Sequence, residues 1–176
     1  MKIALRYGLI YIGINILWSL MMYVTGMNRS GLAWIFNSIA MLIPVLCITL
    51  AVKEYKSTIG QGFMSFSEVF KYGLVITLIG GIGISAYLLL YTGYIDPGFN
   101  DYVLNQQIEG LQEAGMSDEQ IELSVESFEK YSTPFYTFTF GVLGSLFVGS
   151  ILSLIMAAVL KKPNPDGIFA DTNKLS

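Results

Sequence analysis

Apolar residues in this chain gather into four long runs, and the charged residues fall almost wholly between them. No Asp, Glu, Lys or Arg occurs from Tyr7 to Asn28, Ser30 to Val52, Tyr72 to Ile95 or Tyr131 to Leu160. A helix rises about 1.5 Å per residue, so roughly 20 apolar residues cross a hydrocarbon core of about 30 Å. All four runs are long enough, and they predict spans over about 6–27, 32–52, 66–95 and 134–160. Four such helices buried in a water-soluble domain would leave too few polar residues to cover its outside. The fold class expected is therefore all-α: a polytopic membrane protein with four transmembrane helices.

Between the third and fourth runs the pattern changes to amphipathic. Leu104, Ile108 and Leu111 recur at helical spacing after Asp96-Pro97, which predicts a helix over about 97–114 stopped by Gly115. Ser117 with Gln120 forms a capping box for a second helix whose apolar stripe is Ile121, Val125 and Phe128. The insert 96–131 thus reads as a helical hairpin, and Pro134 marks a break near Ser132 and Thr133 before the last span. A second capping box, Ser65 to Glu68, predicts that the third span begins near Phe66, with Lys71 one turn on and able to pair with Glu68.

Within the spans, small residues recur every four positions. The third carries Gly73, Thr77, Gly81 and Ser85; the fourth carries Gly141, Ser145, Gly149, Ser153 and Ala157. In lipid the hydrophobic effect no longer joins helices, and close backbone approach over small side chains takes its place. These nine positions are the expected helix-packing residues, joining the two helices directly or across a dimer interface. Lining a pore is the other use of such glycines. The first span carries Tyr7, Tyr11, Asn15, Ser19 and Tyr23 four apart, a polar-tipped stripe expected to face other helices, with Asn15 making an interhelical hydrogen bond. Asn37, Ser38 and Pro44 lie in the second, where the proline predicts a modest kink.

Composition agrees with this outline: of 176 residues 53% are hydrophobic and 13% charged, about half the charged share of a soluble protein. Charge also orients it. Lys2, Arg6, Lys53, Lys56, Lys71, Lys161, Lys162 and Lys174 fall on one side of the four spans and only Arg29 and Lys130 on the other. Basic residues collect in cytoplasmic loops, so both termini are expected in the cytoplasm and the insert outside. The domain expected is thus 1–162, with a flexible cytoplasmic tail over 163–176. From Asp96 to Lys130 there are nine acidic residues and one basic, a net charge of −8 against −3 for the whole chain. Glu122, Glu126 and Glu129 form an acidic stripe on the second insert helix, a candidate surface for a partner or a divalent cation.

Several chemistries are excluded. There is no histidine, and the one cysteine, Cys47, sits mid-span, so no disulfide or cysteine metal cluster forms within the chain. No phosphate-binding glycine loop and no basic nucleic-acid surface is present, and no Asp, Glu, Lys or Arg lies mid-span to relay protons. No cofactor, no nucleic acid and no enzymatic activity are expected.

Three strings occur together: GFMSFSEVFKYG from Gly62 to Gly73, YIDPGFNDY from Tyr94 to Tyr102, and VGSILSLIMAAVLKK from Val148 to Lys162. In these the chain resembles the domain of unknown function 4199 family. The resemblance implies a small four-span protein of a bacterial cytoplasmic membrane and transfers no catalytic or binding residue. The function expected is a non-enzymatic helix-packing scaffold or partner subunit, in contact with membrane lipids and with further copies of itself or another membrane protein. The alternative is a small transporter or channel for a neutral solute or ion, with Asn15, Asn37 and the glycines of the third span lining a polar path.

Overall fold

The computed structural model describes residues 1–164. Its elements in order are α1 (Lys2–Val24), a 3-10 turn (Met27–Arg29), α2 (Ala33–Ala40), α3 (Leu42–Thr58), α4 (Phe66–Leu90) running into a π turn (Tyr91–Ile95), α5 (Phe99–Glu113), α6 (Asp118–Tyr131) and α7 (Pro134–Leu160). Four segments are long and apolar enough to cross a membrane: Lys2–Val24, Ala33–Thr58, Phe66–Ile95 and Pro134–Leu160. The chain is an all-α polytopic membrane protein. Among the described residues β pairing is limited to one isolated antiparallel bridge, Met64 with Lys162. The tail expected to be flexible lies, from residue 165, outside the described residues.

The second span is two helices, α2 and α3, parted at Met41. Pro44 lacks the amide that would bond the carbonyl of Ala40, so the helix is interrupted one turn before the proline. The Met41 amide turns back to Ser38 O at 3.2 Å instead.

The chain divides into two units. The first comprises Met1–Gly81 and the chain from Gly144 onward. Its core is Ile48, Val52 and Cys47 of α3 against Val69 and Ile76 of α4, with Met64, Met156 and Ala157. One end of this unit gathers the start of α1, the end of α3, the start of α4 and the end of α7, and here its polar contacts concentrate. The N-terminal amine meets Tyr72 Oη at 3.4 Å, Arg6 pairs with Glu54, and Tyr7 Oη donates to Glu54 Oε2 at 3.0 Å. Lys56 Nζ donates to Leu160 O at 2.5 Å, which satisfies a carbonyl left unpaired at the end of α7.

Glu68 is fixed here as a capping residue. Its Oε2 accepts from the Ser65 amide and hydroxyl, both at 2.8 Å, and the Glu68 amide approaches Ser65 Oγ at 3.4 Å. The other carboxylate oxygen accepts from Tyr55 Oη at 2.9 Å. Among the described residues Glu68 and Lys71 make no ion pair, and the carboxylate is held by Ser65 and Tyr55 instead.

The second unit, Ile82–Leu143, holds the amphipathic hairpin. Helices α5 and α6 pack on each other. Leu104, Ile108, Leu111, Ile121, Val125 and Phe128 are all half-buried, and neither helix has a fully buried residue. The reciprocal Ser117–Gln120 capping box opens α6, and Gly115 between the helices takes φ +72°, a left-handed turn that glycine adopts without cost. The first insert helix starts two residues later than Asp96-Pro97 suggests. Its N-cap is Gly98 without a side-chain cap, and the Asp96 carboxylate, buried, instead receives the Tyr91 hydroxyl at 3.3 Å.

Candidate functional site

The small-residue ladders meet within the chain, antiparallel. A Cβ built on Gly73 would lie 2.7 Å from Ser153 Cβ, and one on Gly149 would lie 2.5 Å from Thr77 Cβ, too close for any side chain. Each step of four along α4 is answered by a step of four back along α7, a register that sets buried Gly81 opposite Ser145. Ser145 Oγ reaches the Thr77 carbonyl at 3.4 Å. In the second unit Gly141 is set against Ser85 in the same manner, 3.2 Å from its Cβ. Ala157 is fully buried in the core of the first unit. A ladder spent on intrachain contact is not available to join two copies.

A second close approach was not read from the sequence. A Cβ on Gly8 would fall 2.9 Å from Ile79 Cβ, and Gly80 lies under the Tyr11 ring, so α1 crosses α4 on glycines from both helices. Gly80 falls outside the four-residue register of Thr77 and Gly81, and Gly8 belongs to no such ladder, so neither gives a periodic signal.

Beside the ladder the first unit opens. Tyr11 and Asn15 of α1, Asn37, Ala40, Met41 and Pro44 around the α2–α3 break, Thr77 of α4, and Ser145, Val148, Gly149 and Leu152 of α7 line a half-open cavity of about 210 Å³. Asn15, Pro44, Thr77 and Ser145 each stand near the midpoint of their own span, while Asn37 lies near the start of the Ala33–Thr58 span. No charged residue lines it.

Hydrogen bonding in the lining is incomplete. Asn15 Nδ2 donates to Tyr11 O of its own helix at 3.0 Å, so the interhelical bond expected for Asn15 is not made. Its carbonyl oxygen and second N–H remain unpaired among the described residues. Asn37, exposed on α2, forms no hydrogen bond among the described residues. Thr77 Oγ1 donates to Gly73 O at 3.0 Å and keeps only its accepting capacity. An amide left in hydrocarbon without a partner costs several kcal/mol.

The acidic stripe stands apart from this cavity. Glu122, Glu126 and Glu129 are exposed on α6. Among the described residues no three carboxylate or other ligating side chains come together where they could hold a metal ion. A shallow groove of about 500 Å³ in the second unit is lined by Gln107, Ser124, Ser127, Phe128 and Tyr131 among others, and none of the three glutamates faces it.

A family model described as "Protein of unknown function (DUF4199)" matches residues 6–162. No curated protein and no solved structure matches the chain.

Proposed function

Taking as premise that the chain belongs to the DUF4199 family and is a multi-pass membrane protein, we propose that it is a non-enzymatic protein that receives a small neutral solute in its half-open cavity. The observation that carries this is a lining without charge that holds two amides with unused bonding capacity, Asn15 with one N–H bonded to Tyr11 O and Asn37 with no side-chain bond among the described residues. A bare ion would find no countercharge there. No acid, base and nucleophile assemble beside the cavity to act on what it holds.

In this reading the protein lies in a bacterial cytoplasmic membrane with both termini in the cytoplasm. Eight of its ten basic residues support that orientation, as does the gathering of four helix ends around Glu54 and Glu68. A periplasm-active reporter inserted at Gly115 is expected to be active, and one fused after Ser176 silent; the reverse overturns the orientation.

The cavity itself is tested by a thiol. Native Cys47 is buried and serves as the unreactive reference. In reconstituted protein, Ala40→Cys adds a thiol to the lining, and a small uncharged methanethiosulfonate is expected to modify one cysteine per chain. No modification beyond that of the native protein would sink the proposal.

A scaffold role is the second reading, supported by the exposed acidic face of α6 rather than by the ladders. It calls for a homo-oligomer or a membrane-protein partner recovered by crosslinking in native membranes and lost on Glu122→Lys with Glu126→Lys.

A further inference from the structure

Resting on the cavity reading, we infer that the ligand is a small uncharged molecule carrying a hydrogen-bond donor and acceptor side by side, a polyol or an amide, held between Asn15 and Asn37. The argument is an inventory of unused bonding capacity. An amide group brings two donors and one acceptor oxygen. Asn15 spends one N–H on the Tyr11 carbonyl, which also fixes the group on its helix, and presents the remaining N–H beside its oxygen. Asn37 presents its whole amide. The Thr77 hydroxyl, its proton committed to Gly73 O, can only accept.

The site therefore offers donors from two helices, α1 and α2, and acceptors from these and α4. A purely accepting ligand would leave the Thr77 oxygen and both amide oxygens unsatisfied; a purely donating one would strand the N–H groups. Only a ligand that does both at adjacent atoms satisfies the lining, and unmet polar groups are what make such sites reject near analogues. With no charge in the wall, an ionic ligand would be desolvated without compensation. Size favours a small ligand. The half-open cavity of about 210 Å³ takes glycerol or urea within its walls, whereas a disaccharide would protrude from it.

Position supplies a route. Asn37 lies on α2, a helix of 8 residues with none buried, joined to α3 through the break at Met41. The donor on this helix and the donor on α1 reach the ligand from different helices, so a bound ligand bridges α1 and α2.

The test uses the Ala40→Cys thiol, which leaves both amides in place. Labelling is followed in reconstituted protein with glycerol, with urea, with sucrose at matched viscosity, or with sodium chloride. A ligand at about four times its dissociation constant slows labelling about fivefold. Slowing by glycerol identifies the polyol and slowing by urea the amide, while sucrose and salt leave the rate unchanged. Adding Asn37→Leu, at an exposed position, removes the protection. Labelling that proceeds at one rate in all four solutions overturns the ligand class and leaves the cavity standing, as does protection that persists in Asn37→Leu. Absence of labelling overturns both.

Discussion

Two regions of the first unit share residues and have opposite character. Along the ladder, Gly73 meets Ser153 and Gly149 meets Thr77 so closely that no Cβ fits. Across the cavity the same Thr77 and Gly149 look out on about 210 Å³ of space. Composition does not separate them, since both are built from small and neutral polar residues. What differs is the number of helices converging. Two antiparallel helices with matched four-residue spacing close on each other, whereas a third and fourth wall of tyrosine, asparagine and a proline-broken helix cannot follow the same surface. Small residues in lipid thus close a helix pair where they face each other and open a space where a larger, interrupted element faces them.

Substitutions that fill the ladder should break this contrast with the largest effect. Gly149→Leu and Gly73→Leu each force a side chain into Thr77 or Ser153, and a loss of about 3 kcal/mol is expected in unfolding by sodium dodecyl sulfate titration. Gly144→Leu, on α7 with nothing within 4 Å of its Cβ position, should change stability by less than about 0.5 kcal/mol. Equal losses at both sites would mean that the ladder is not the packing surface.

Ser153→Ala should move the other way. Its hydroxyl is fully buried with no partner among the described residues, while the Cβ that packs on Gly73 is kept. Removing an unsatisfied buried group should raise stability by about 1 kcal/mol in the same titration. A loss of that size would show that the hydroxyl has a partner in the membrane.

Thr77→Val touches both regions and should cost about 0.6 kcal/mol, the usual worth of one polar contact between membrane helices, because the bond to Gly73 O is lost while shape is conserved. It should also weaken protection of the Ala40→Cys thiol by glycerol or urea. Smallest of all is the expected effect of Asn37→Leu on folding, below about 0.5 kcal/mol, since the residue is exposed and makes no hydrogen bond among the described residues. A large loss there would make Asn37 a structural residue and remove it from the ligand site.

Much of the architecture is legible along the chain because its signals are local. Span length follows from runs of uncharged residues, and the helix starts at Phe66 and Asp118 from capping boxes whose partners are three residues apart. The stop before Asp118 follows from a glycine, and the interruption before Pro44 from a missing amide. Periodic small residues marked α4 and α7 for close contact, and the contact is there. Where local rules failed, a distant group had won. Glu68 has Lys71 one turn away yet accepts from Tyr55 of another helix, and Asp96 receives Tyr91 instead of starting α5 with a side-chain cap.

The sequence by itself thus determined that four helices cross a membrane, where they begin and which faces are small, because each of these depends on residues within a few positions of one another. Only the tertiary structure decided that the ladders are consumed inside one chain, that α1 crosses α4 on glycines, and that Asn15 turns back on its own helix. It also decided that Asn15, Asn37, Thr77 and Ser145 share one cavity. Those residues stand on four different helices, and the space between helices is a property of how they pack, which no single helix encodes.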